Sequence, residues 1–287
     1  MASSGKTGGA DKRCWRGISR FVLTWIRHVH YGISHASHAV RPRTAILPMI
    51  PSTPRRTWLF LIASTLAYFG PDLLVPSAWA HTPLYLIGSA LYQGMLVVLG
   101  FWFSPALCRA MAVKPPDASP IHDAIDRAQA GLRAAGLNRP PVRLFEHGLP
   151  FVLTAGLLPR QCEVFVSTGL ASRLTPSALQ FLLARAAVHA TLRHRLAALL
   201  PLLVFTMFLP DDPASPVTWL ATAGFLIPWL MVHWAFELDA DRRATRSVEA
   251  GAADALRECH AITQPHPAWL STHPPLRWRL RAIRTRA

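Results

Sequence analysis

Acidic side chains are scarce in this chain: 15 Asp and Glu stand against 30 Lys and Arg in 287 residues, a formal net charge of +15. Charge of either sign is thin, at 16%, while 51% of the residues are hydrophobic and the mean hydropathy is +0.25. Ordinary soluble domains carry roughly a quarter of their residues as charges. This composition is too apolar for that class and points to a membrane protein. Cysteine is also rare. Cys14, Cys108, Cys162 and Cys259 are widely spaced and form no C-x-x-C, which argues against a disulfide framework or a thiolate zinc site and for reduced cytosolic thiols.

Two stretches lack Lys and Arg altogether, residues 70–82 and 211–216. Each lies between apolar runs. Residues 58–76 form a first expected span, weakened by Gly70, Pro71 and Asp72. Residues 83–103 form a second, roughly 20 residues without a charge and long enough for ~30 Å of hydrocarbon. Residues 196–209 are apolar but short, and residues 217–236 are long enough to cross. The arginines instead crowd into the N-terminus, the middle and the C-terminus, which the positive-inside rule places in the cytoplasm of an inner or plasma membrane. That asymmetry accounts for the basic excess without nucleic acid, and membrane lipid is the expected partner.

The sequence divides into five parts. Residues 1–56 are basic, with a Gly/Ser/Lys tract of disordered composition and an amphipathic helix expected over 17–33, where Phe21, Val22, Trp25, Ile26 and Val29 alternate with Arg16, Arg20 and Arg27. The order of its apolar and charged residues is not that of a signal peptide. His28, His30, His35 and His38 cluster there at irregular spacing, as solvated interfacial histidines. Residues 57–104 make the first hairpin, 105–195 a polar lobe, 196–236 a second hairpin, and 237–287 a last lobe. Within the polar lobe a helix is expected over 121–135, ending at Gly136, with short strands at 142–145 and 163–167 joined by a loop over 150–159. The fold class is mainly α: two apolar helical hairpins carrying a small α+β cytoplasmic lobe.

A helix over 179–195 organises the rest. Thr175 is a good N-cap and Pro176 stands at the first helical position, where its missing N–H costs nothing. Arg185 and His189, four residues apart, share one face. The zinc-binding pattern H-E-x-x-H needs two imidazoles at that spacing and a glutamate beside the first. Here the five positions read Arg185-Ala186-Ala187-Val188-His189. Further on come Glu237-x-x-x-Asp241 and Thr272-His273-Pro274-Pro275.

In that order these features resemble the HtpX-type membrane zinc metallopeptidases, relatives of the CAAX prenyl proteases, over about residues 58–283. Residues 150–159 also resemble a loop of the BlaR-type sensor peptidases. The resemblance implies a gluzincin-like lobe, with His189 and Glu237 as zinc ligands and Asp241 as the carboxylate that orients an imidazole. It also places Arg185 where the first ligand belongs, Ala186 where the catalytic glutamate belongs, and His273 near the cleft. With two of three ligands left, zinc is expected to be lost. Arg185 is expected to bridge Glu237 and Asp241 instead, its fork suited to carboxylates. His233, four residues before Glu237, is the candidate for a rewired site, against a bland place at headgroup level beside Trp234. His194, flanked by arginines, reads as cytoplasmic surface.

Three functions follow. The first is an inactive pseudoprotease binding membrane or misfolded proteins. The second is an active zinc endopeptidase with rewired ligands. The third is a membrane-anchored basic module for anionic lipid or nucleic acid.

Overall fold

The computed structural model describes residues 54–76, 79, 82–115, 120–137, 139–208, 216–248, 251–263 and 273–284. The expected N-terminal helix and its histidines, most of the acidic linker at 211–215, and Thr272 lie outside the described residues.

Helix α1 (Pro54–Leu74) has a short apolar core, Trp58–Tyr68, and is tied to the next helix where the Tyr92 hydroxyl donates to the Ala67 carbonyl at 2.6 Å. Helix α2 (Pro83–Met111) starts at Thr82, whose hydroxyl accepts from the Tyr85 N–H, with Pro83 just inside. At 1.5 Å per residue it is roughly 44 Å long. It exposes apolar side chains along its length, among them Leu84, Leu86, Ile87, Leu91, Met95 and Trp102. It also runs seven residues past the boundary expected at 104. Among the described residues two helices are long and apolar enough to cross a membrane, α2 and the segment Leu220–Ser247. The expected hairpin partners, α1 and the helix over 192–208, do not reach that length and apolarity.

The lobe begins with α3 (Pro120–Ala134), which stops at Gly136 in the left-handed conformation, φ 67°. Strands β1 (Val142–Phe145), β2 (Val152–Ala155) and β3 (Glu163–Ser167) make a sheet in the order β1-β3-β2, with β1 parallel and β2 antiparallel to β3. The loop expected over 150–159 therefore contains a strand. Its four residues lack the length to announce it, and pairing to β3, from Val152↔Val166 to Ala155↔Glu163, is what forms it. A single turn, α4 (Thr168–Ala171), leads to α5 (Pro176–His189).

Helix α5 is the hub. The residues from Ala178 to Val188 are nearly all buried, against Ile125, Ala128 and Leu132 of α3, Val164 and Val166 of β3, and Ala255, Leu256 and Cys259 of α8 (Ala252–Thr263). Its N-cap is reinforced from α8: Glu258 accepts from the Thr175 N–H at 2.6 Å and from its hydroxyl at 2.7 Å.

The organising helix does not run unbroken to Arg195, as expected. It ends at His189. Thr191 turns its N–H and its hydroxyl onto the Val188 carbonyl, and α6 (Leu192–Phe208) starts afresh. Helix α7 (Pro216–Ala244) carries the apolar segment and, in its last turns, Glu237 and Asp241; a 3-10 turn, Thr245–Ser247, ends it. Helix α9 (Leu276–Arg284) packs on α7 and α8.

Candidate functional site

Helices α5, α7 and α9 converge on a buried set of four charges. Positions 237 and 241 are four apart, so both carboxylates leave one face of α7 towards α5. From α5, Arg185 places Nη2 2.5 Å from Oε2 of Glu237 and Nε 2.6 Å from Oδ1 of Asp241. The first contact has hydrogen-bond geometry. The second is an ion pair without the angle of a hydrogen bond, leaving Nε with no hydrogen-bond partner. From α9, Arg279 grips Asp241 with both prongs, Nε to Oδ2 at 2.7 Å and Nη2 to Oδ1 at 3.0 Å. Two arginines thus balance two acids where Asp241 is fully buried and Arg279 is 1% exposed. Burial favours the neutral form of Arg185, but Asp241 and Glu237 outweigh it and raise the guanidinium's pKa further.

Histidines surround the same glutamate. His189 Nε2 lies 3.2 Å from Oε1 of Glu237, and His273 Nδ1 lies 2.7 Å from Oε2. His273 comes from the turn just before α9, and its ring lies 6.4 Å from that of His233. His233 stacks on Trp229, 5.9 Å between centroids, and lines the cleft with the others.

His194 is not surface. It is 5% exposed, with Nδ1 3.2 Å from Nδ1 of His189 and Nε2 3.2 Å from Oδ2 of Asp239. In a continuous helix, residues five apart point about 140° away from each other. The break at 190–191 is what folds His194 back under His189. Burial lowers the His194 pKa to about 4, helped by His189 and opposed by Asp239.

The cleft, about 420 Å³, is bounded on one side by the outer edge of β2 and on the other by Arg185, Ala186, His189 and Glu237. Part of that edge is occupied from within: Arg195 donates to the carbonyls of Thr154 (3.0 Å) and Gly156 (2.5 Å), and the Gly156 N–H donates to the Ser104 hydroxyl of α2 (2.8 Å). Gly156 has φ 111°, and a Cβ there would meet the Cys162 backbone at 2.9 Å. Glu163, buried on β3, joins the sheet to α2 through Arg109 at 2.6 Å.

The structure therefore brings together Arg185, His189, Glu237, Asp241 and His273, with His233 beside them and Ala186 facing the cleft. Arg279 and Arg195 went unremarked in the sequence, and His194 reads there as surface. Arg279 sits in an arginine-rich run where nothing sets it apart except its three-residue distance from Leu276, and the other two are visible only once the helix break is known.

Helices around a small mixed sheet, with a cleft between an edge strand and a His/Glu-bearing helix pair, define a metallopeptidase-like protein. The model of peptidase family M48 matches residues 127–287, and the chain belongs to that family. No curated protein matches the chain. The crystal structure of S. mikatae Ste24p is similar at 14% identity and a TM-score of 0.49, over 99% of this chain and 78% of that one.

Proposed function

We propose that this chain is a membrane-embedded M48 pseudoprotease: its peptidase centre is an ionic joint, and its cleft binds segments of membrane or misfolded proteins without cutting them. The observation that carries the reading is Arg185, with its guanidinium between Glu237 and Asp241. A zinc ion does not fit the donors present. Catalytic zinc takes three protein ligands and an open position, whereas Glu237 already holds Arg185 and two histidines, and the general base position is Ala186. Among the described residues no three His, Cys, Asp or Glu are arranged to hold a metal. A divalent cation ~4 Å from Arg185 is repelled by on the order of 8 kcal/mol at an effective dielectric near 20.

Helices α2 and α7 are read as spans on their length, apolarity and exposed apolar surface, and α1 and α6 as the shorter legs that complete the two hairpins. The basic N-terminus, lobe and C-terminus are assigned to the cytoplasmic face, because the two connections lacking Lys and Arg, 70–82 and 211–216, belong outside. On this reading the lobe is gluzincin-like in plan, with the metal position filled by an arginine.

A second reading is an active zinc endopeptidase with rewired ligands. It draws on the crowding of His189, His273 and His233 about Glu237, and it requires Arg185 to leave the site. Elemental analysis of detergent-purified protein beside Glu237→Ala separates the two. The pseudoprotease reading expects background zinc in both. Near-stoichiometric zinc that vanishes in the variant would overturn it.

A further inference from the structure

We infer that α9 is a ladder of cations that binds the headgroups of anionic phospholipids, holding the lobe and the mouth of its cleft against the bilayer. The inference rests on the reading of α7 as a membrane span.

Helix α9 reads LRWRLRAIR and contains no acid. Arg279, Ala282 and Ile283 face inward, while Arg277, Trp278, Arg281 and Arg284 are exposed. Positions 277, 281 and 284 recur at i, i+4 and i+7, so the three cations share one face. Among the described residues none of these three takes part in an ion pair. An outward row of three arginines with no acid of its own asks for an external anion.

The depth of that row is fixed by its contacts with α7. Trp278 packs edge-on against Trp234, with ring centroids 5.6 Å apart at 90°. Farther along both helices Arg279 holds Asp241, and Arg242 Nε donates to the Ala282 carbonyl at 3.4 Å. Helix α9 therefore runs alongside the last turns of α7, in the same direction, away from the apolar segment. Trp234 stands three residues before Glu237, where that segment meets its first charge. Paired tryptophans at such a boundary belong at the interface between hydrocarbon and headgroups. The headgroup layer is about 5–7 Å thick on each side. At 1.5 Å per residue, Arg277 lies level with Trp278, Arg281 about 6 Å farther out and Arg284 about 10 Å out. The backbones of the first two fall within the layer and that of the third about 3–5 Å beyond it, a distance a long arginine side chain can reach back across. Because His273 immediately precedes α9 and holds Glu237, lipid engaged by this helix also steadies one wall of the cleft.

The test uses the full-length protein in bilayers of phosphatidylcholine mixed with phosphatidylglycerol, with bromine placed on the chains of one lipid or the other. The signal is the emission lost in Trp278→Phe, read as quenching of Trp278 by each brominated lipid. Phosphatidylglycerol is expected to be preferred over phosphatidylcholine by about fivefold for each arginine near the surface. The preference is expected to disappear in R277Q/R281Q/R284Q and to survive in R277K/R281K/R284K, which keeps the charge and controls for folding. Equal quenching by both lipids, or a preference undiminished in the glutamine variant, would overturn the inference. So would salt-sensitive binding of duplex DNA through the same arginines without lipid preference. No quenching at all, in protein that resists alkaline carbonate extraction, refutes the ladder and leaves the span. Release by carbonate refutes the span and the ladder with it.

Discussion

Arg185 and Glu237 meet at 2.5 Å in a site where the arginine side chain is 10% exposed and the glutamate 4%. Taking two charges out of water costs several kcal/mol per ion, and what offsets it is their mutual attraction and the remaining contacts of each group. Removing one partner is therefore far worse than removing both. Arg185→Ala leaves Glu237 buried with only its two histidine contacts and Asp241 to Arg279 alone; it is expected to lower stability by about 3–5 kcal/mol. R185M/E237M removes both ends and leaves Asp241 with its bidentate partner, so its loss should fall below the sum of the single losses by about 1–3 kcal/mol. Thermal unfolding in detergent and protease resistance measure both. Unchanged melting of Arg185→Ala would show that the joint holds nothing.

A second expectation concerns acid. The His194 pKa is about 4 in the fold against 6.5 for an unburied imidazole. Between those values the unfolded chain binds the extra proton and the native one does not. Stability from keeping His194 neutral is thus complete above pH 6.5 and is lost as pH falls towards 4. At 1.36 kcal/mol per pKa unit this amounts to about 3 kcal/mol. The groups facing the ring are His189 from α5, Asp239 and Arg243 from α7, and the Phe236 ring at 4.5 Å. His194→Phe cannot titrate, so its stability should fall less between pH 6.5 and 4. A parallel decline in both proteins would mean that the acid sensitivity lies elsewhere.

How far the sequence spoke depends on the range of the interaction. The start of α5 was legible because Thr175 and Pro176 act within one turn, and the shared face of Glu237 and Asp241 follows from a spacing of four. The strand in residues 150–159 was not legible, since four residues of β2 gain their form only from β3, whose paired residues lie 8 to 14 positions away. His194 was misread because flanking arginines describe a surface only if the helix continues, and it breaks at Ala190–Thr191. Arg279 was hidden by composition: in LRWRLRAIR each arginine looks alike until α7 picks out the one facing Asp241.

Gly169, just after β3, lies under the chain turn that leads into the cleft's edge strand. A Cβ there would stand 2.3 Å from the Gly148 carbonyl oxygen and 2.7 Å from that of His147. Both are backbone atoms, and the Gly169 N–H itself donates to the His147 carbonyl at 2.9 Å. The neighbour cannot yield by a rotamer change. Gly169→Ala is expected to cost about 1–3 kcal/mol, in the range of other overpacked sites. Gly148→Ala, with nothing within 4 Å of its Cβ, should be nearly neutral. Comparing their melting temperatures checks the packing of 147–150 against 167–169, and equal values would contradict it.

The last expectation reverses the substitution that defines the site. R185H/A186E turns residues 185–189 into H-E-x-x-H while leaving Asp241 with Arg279. Position 186 lines the cleft, so a glutamate there has space to occupy. With the guanidinium gone, Glu237 keeps only histidine contacts, His189 at Oε1 and His273 at Oε2. The metal-free variant should be less stable than the natural chain, because Glu237 has lost its arginine. Zinc should then raise its melting temperature, by the linkage that stabilises any state a ligand prefers, about 2.7 kcal/mol at a hundredfold excess over Kd. The natural chain should show no such rise. A variant that ignores zinc would mean that more than Arg185 and Ala186 stands between this cleft and a metal, with His194 and His273 the next residues to change. A natural chain that responds as strongly as the variant would mean that Arg185 yields its place to the metal.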